Sequence, residues 1–197
     1  MKYISARQVW HDCYHTRSKS QMDVNIELAQ LGASIQHGSK INTANAAAHQ
    51  YEAGKIQAVI ARLPPPLRLL GDWLYAPEGF SPAGAENALW KMVAVLCDID
   101  DEESDEWYLA RCALHRYREL AWSRPESGSQ FRTPQQIKRW VWEQHGVELY
   151  TRRWSKDYGR IWDKLLDQIS KLDRKALVPV SELVYVNQAK DAKAARG

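Results

Sequence analysis

The sequence predicts a mainly α-helical protein, with a helical body over residues 1–125 and a module of two helices and a turn over residues 126–197. Three observations lead there. Apolar residues recur at spacings of three and four through much of the chain, the period of an amphipathic helix. Helix punctuation is explicit: Pro64-Pro65-Pro66, Thr133-Pro134 and Gly146 stand at the ends of periodic segments, where proline opens or stops a helix and glycine closes one. The composition, 45% hydrophobic and 26% charged, is that of a folded domain. Nine tryptophans in 197 residues are unusual. That much aromatic area can build a core or a stacking surface.

Residues 3–17 hold a short helix with Ile4, Val9, Trp10 and Cys13 apolar, and VNIELAQLGASI at 24–35 is compatible with a further helix ended by Gly32 or Gly38. The stretch Thr43–Leu63 is a helix: Thr43 or Asn45 caps it, three alanines follow, and Ile56, Val59, Ile60 and Leu63 share a face. The three prolines end it, because proline lacks the N–H and disfavours helix in the residue before it. A helix over Leu67–Tyr75 follows at once, which makes the prolines a stiff corner; a polyproline partner motif is the alternative. After a turn-rich loop at 77–85, Glu86–Leu96 reads as a buried helix. The acidic run DIDDEESDE at 98–106 reads as the start of the helix Glu106–Trp122, since acids suit the electropositive first turn. Its alternative is a metal-binding carboxylate cluster. SRPESGSQ at 123–130 is the linker candidate.

In the second module Thr133 caps a helix that Pro134 opens and Gly146 closes at His145, with Ile137, Trp140 and Val141 on one face. Val147 and Leu149 flank a turn. Thr151 then caps a helix to about Leu172, striped by Trp154, Tyr158, Ile161, Leu165, Ile169 and Leu172. ALVPVSELVYV at 176–186 reads as a short strand pair or wing, or as a packing strand, and the tail at 187–197 is expected to fray.

The formal net charge of +3 is segregated: residues 1–63 carry +3, 64–106 carry −8, 107–175 carry +7 and 176–197 carry +1. Segregation of this kind suits a polyanion on one face. Arg153, Lys156, Arg160 and Lys164 fall at i, i+3, i+7 and i+11, Arg152 stands beside them, and Lys138 and Arg139 lie on the preceding helix. Asp157, Asp163 and Asp167 interleave with this line and can pair with it, so a merely solvated hairpin is the alternative reading. The pattern Thr133-Pro134-x-x-Ile137-x-x-Trp140-Val141-x4-Gly146-Val147-x-Leu149, followed by a basic amphipathic helix, resembles the helix-turn-helix of transposase-like and winged-helix DNA-binding domains over residues 133–165. The resemblance implies that the first helix braces the DNA backbone while the second enters the major groove. In general character, with no matched motif, the chain is also similar to bacteriophage or prophage regulators such as late-gene antiterminators and small terminase subunits.

The expected function is DNA binding as a transcriptional or replication-associated regulator, through Lys138, Arg139, Arg152, Arg153, Lys156, Arg160 and Lys164. The expected partners are DNA, a protein such as the transcription machinery, and a second copy of the chain, with no membrane. A helical protein-binding adaptor or inhibitor is the alternative, using the acidic run, the proline corner and exposed aromatics. A Mg²⁺-dependent nuclease on Asp98, Asp100 and Asp101 is a second. No G-x-S-x-G, phosphate-binding glycine loop or H-E-x-x-H occurs, so neither catalysis nor a cofactor is expected. His11-x-Cys13-x-His15 with Cys112-x-x-His115 has zinc-type ligands, but the spacing is not a usual one. The three cysteines are therefore expected as small buried hydrophobes in a reducing compartment, with no metal. With no apolar leader or membrane-length apolar run in view, the expected location is the cytoplasm.

Overall fold

The computed structural model describes residues 5–15, 43–77, 80–122 and 130–194. These form α1 (Ala6–His15), α2 (Thr43–Ala61), α3 (Pro65–Tyr75), α4 (Ala85–Leu96), α5 (Asp105–Trp122), α6 (Pro134–His145), a 3-10 turn at Thr151–Arg153, α7 (Trp154–Asp157) and α8 (Gly159–Ala194). The chain is mainly α, and no strand occurs among the described residues. The helix expected at 24–35 and the linker, apart from Gln130, lie outside them.

The chain divides into two compact units. One comprises the described parts of Met1–Pro64, Tyr75–Phe80 and Leu177–Gly197; the other comprises Pro65–Leu74 and Ser81–Ala176. Residues 126–197, expected as one module, thus contribute to both.

In the first unit Ser5 caps α1, its Oγ accepting from the Gln8 N–H at 3.2 Å. Val9, Trp10 and Cys13 form the buried face of α1, and Ala53, Ile56 and Ile60 that of α2, with Leu63 buried just beyond its end. The two helices pack together. Gln57 Nε2 ties them by donating to the Cys13 carbonyl at 2.7 Å. His11 Nδ1 donates to the Tyr75 carbonyl at 2.8 Å, and Cys13 Sγ donates to the Trp10 carbonyl at 3.0 Å. These partners give His11 and Cys13 structural roles. The two halves of the zinc pattern fall in different units, and no group that could hold a metal occurs among the described residues.

In the second unit the start and end of α6 follow from the residues that announce them. The Thr133 Oγ1 accepts from the Gln136 N–H at 3.3 Å while Gln136 Oε1 accepts from the Thr133 N–H at 2.9 Å, a reciprocal capping box. At the other end Gly146 has φ 70°, a left-handed conformation that costs a side chain but not glycine. Thr133→Ala should lower stability by about 1 kcal/mol, read as a shifted urea midpoint at unchanged slope.

The acidic run splits between two helix ends. Leu96 closes α4. The Asp98 N–H then bonds the Val95 carbonyl at 3.1 Å and the Ile99 N–H bonds the Ala94 carbonyl at 3.0 Å. This is a Schellman closure in which Asp98, at φ 62°, occupies the place glycine usually takes. Ser104 caps α5 by accepting from the Trp107 N–H at 3.3 Å, and Asp105 and Glu106 fill the first turn.

Two expectations are corrected. Residues 176–186 are not a strand pair, wing or packing strand but the interior of α8. Leu165, Ile169, Asp173, Ala176, Val180 and Val184 are all buried, and their spacing of three and four is helical throughout. Pro179 sits inside this helix. It leaves the Lys175 carbonyl without its usual donor but does not end the helix. The second correction concerns the helix expected from Thr151 to Leu172, which is broken. The 3-10 turn and the single-turn α7 precede Tyr158, which closes α7 by donating its N–H to the Trp154 carbonyl at 2.8 Å; α8 begins at Gly159. The Tyr158 hydroxyl is anchored on the Asp105 carboxylate at the start of α5, which fixes the break.

Candidate nucleic-acid interface

The four cations expected in a line do not form one: Arg153 ends the 3-10 turn, Lys156 lies on α7, and the break at Tyr158 puts Arg160 and Lys164 on α8. Their surroundings also differ. Lys138 Nζ is 2.7 Å from Glu148 and closes the turn onto α6. Arg153 pairs with Asp157 at 3.6 Å, one helical turn away. Lys164 Nζ donates to the Cys97 carbonyl and to Asp98, each at 2.8 Å. It therefore caps the C-terminal end of α4, where carbonyls lack partners and the helix dipole is negative. Arg139, Arg152, Lys156 and Arg160 are exposed and form no ion pair among the described residues. Arg139 lies on α6, Arg152 in the 3-10 turn, Lys156 on α7 and Arg160 in the first turn of α8.

An open cleft of about 640 Å³ separates the basic segment from the acidic one. Lys156, Arg160 and Lys164 line one wall and Asp98, Asp100, Asp101 and Glu106 the other. The acidic run and three of the four cations of the basic stripe thus face each other, a juxtaposition that sequence separation hides. Part of the positive field around Lys156 and Arg160 is cancelled locally, while Arg139 and Arg152 do not line this cleft.

Behind α6 lies a network of charged and aromatic side chains. Glu86 on α4 accepts from Arg111 Nε at 2.6 Å and from His115 Nε2 at 3.1 Å, both on α5. Arg111 Nη1 reaches His145 Nε2 at 3.1 Å. Arginine can only donate, so this nitrogen accepts and the ring is neutral. The guanidinium lies 5.2 Å from the Trp90 ring centre and 5.3 Å from that of Trp140. His115 stacks on Phe131 at 5.4 Å and 11°. The His115 hydrogen bond, with Arg111 beside it, holds the Glu86 carboxyl at about 2, well below the usual carboxylate range. Burial and the Arg111 charge push His145 down. The network joins α4, α5 and α6, and so fixes the platform on which the turn at 146–153 stands.

α6 and that turn carry two aromatics that the predicted cation set leaves out. Trp142 on α6 and Tyr150 just before the 3-10 turn are each 57% exposed. Trp142 sits away from the Ile137–Val141 face on the helical wheel, a signal that could have singled it out. The Glu86–Arg111–His115–His145 network left no such signal, because its members lie on three helices. No protein-family model, curated protein or solved structure matches the chain.

Proposed function

We propose that the protein is a DNA-binding regulator of transcription or replication, acting by binding without catalysis, and that it presents α6, the turn and the first residues of α7 and α8 to the nucleic acid. The observation that carries this reading is the group Arg139, Arg152, Lys156 and Arg160. Each is exposed and unpaired among the described residues, while the neighbouring Lys138, Arg153 and Lys164 hold the scaffold together. Free guanidinium and ammonium groups on rigid elements suit binding to phosphates. The set differs from a recognition helix lying in a groove, because the second helical segment breaks at Tyr158. A surface formed at a turn replaces it.

A mobility-shift titration with duplex DNA at about 50 and 200 mM salt tests the proposal. Binding should weaken steeply with salt, with a log–log slope near −0.9 per neutralised phosphate. Replacing Arg139, Arg152, Lys156 and Arg160 together by glutamine should flatten that slope by about one unit for each phosphate no longer neutralised. If neither duplex nor single-stranded DNA is retained at about 50 mM salt, the proposal fails.

A further inference from the structure

The exposed surface around the turn is more than basic. Trp142 stands one helical turn from Arg139, and Tyr150 is two and three residues from Arg152 and Arg153. The two halves of this surface are held together: the 3-10 turn packs on α6, and the Lys138–Glu148 ion pair at 2.7 Å ties the loop to the same helix. Two large rings are therefore displayed to solvent on backbone that is anchored.

Trp142 departs from the packing of Trp10, Trp73 and Trp107, which are buried, and Tyr150 is as exposed as Trp142. An apolar partner alone would not call for arginines beside each ring, and duplex DNA offers few ring faces, because its bases are already stacked. Unpaired bases offer both a π-face and a phosphate per nucleotide, and a platform of aromatic rings flanked by arginines matches that repeat. Opposing charge on this surface is small: Glu148 is neutralised by Lys138, and Glu143, next to Trp142, is the remaining acid on α6.

We infer that Trp142 and Tyr150 are stacking platforms for unpaired bases, so that the turn takes single-stranded or locally opened DNA in preference to closed duplex. This rests on the DNA-binding reading and narrows it to a substrate class.

The experiment compares a fluorescent oligothymidine strand with a closed duplex of equal length, bound by the wild type, Trp142→Ala, Trp142→Phe, Tyr150→Ala and the four-cation variant. Both rings are exposed, so the single variants should fold as the wild type does, checked by circular dichroism and melting temperature. Trp142→Ala and Tyr150→Ala should each weaken single-strand binding roughly 5- to 100-fold, with duplex binding changed less than about twofold. Trp142→Phe, which keeps a ring, should restore most of the affinity. If the wild type binds both DNAs and the alanine variants bind as the wild type does, or weaken equally towards both, the stacking inference is overturned while the DNA-binding reading stands. If Trp142→Phe is as weak as Trp142→Ala, stacking is likewise overturned. If the wild type binds neither DNA, both readings fall together.

Discussion

Val180→Asp should destabilise the protein by about 4 kcal/mol, while Val178→Asp should change stability by less than about 0.5 kcal/mol. Val180 is fully buried, whereas Val178, two residues earlier, is 51% exposed. A carboxylate at 180 would be desolvated among apolar neighbours. At 178 it would remain in water on the outer side of α8, where Val and Asp have similar helix propensity. In a strand the two positions would share a face and respond alike. Urea melts of the two variants therefore report the conformation of this segment directly. Equal destabilisation at both sites would count against the helix.

The second large effect is expected at Arg111. Arg111→Ala removes the partner of Glu86, the donor to His145 and the cation packed between Trp90 and Trp140. A cost of about 3 kcal/mol is expected, since a half-buried carboxylate is left with one partner fewer and the arginine stem no longer fills the space between two rings. The same network sets a pH dependence. The Glu86 carboxyl is held at about 2 in the folded protein, below its unfolded value of 4.5. Its contribution is complete above pH 4.5 and is lost as pH falls towards 2; allowing for the water that still reaches the carboxylate, it amounts to about 2 kcal/mol. His145 is also pushed down, from 6.5, so the folded state prefers the neutral ring. Its contribution is present above pH 6.5 and declines below that. Stability should thus fall on acidification in two stages. In Arg111→Ala the upper stage should shrink, because the charge that opposes His145 protonation is gone. A wild type whose urea midpoint stays constant from pH 7 to 3 would contradict this account.

Much of the helical architecture was legible from local chemistry. Thr133, Pro134 and Gly146 mark α6 through interactions that reach only three or four residues, so a linear reading finds them. Residues 176–186 misled for two identifiable reasons. Val178, Val180, Val184 and Val186 mimic the alternation of a strand, with Pro179 among them. In addition, the stripe that continues α8 passes through Asp173, a polar residue that interrupts the apolar periodicity. Asp173 is fully buried, and Tyr117 donates to its carboxylate at 2.8 Å. Only a tertiary partner makes that position readable as core. The cation line failed for a related reason. Spacing along one helix cannot register that Lys164 is used at the end of α4, or that Tyr158 is held by Asp105.

The sulfur chemistry of the chain has a practical side. Cys13, Cys97 and Cys112 are all free and buried, and burial pushes the thiols of Cys97 and Cys112 further up from their ordinary value. Thiolate, not thiol, is the nucleophile towards alkylating dyes. The native cysteines should accordingly react slowly with maleimide at neutral pH, and a single cysteine placed at an exposed position such as Gln135 on α6 should label first. A dye there would sit on the helix that carries Arg139 and Trp142, and could report binding at the turn without any native cysteine being removed.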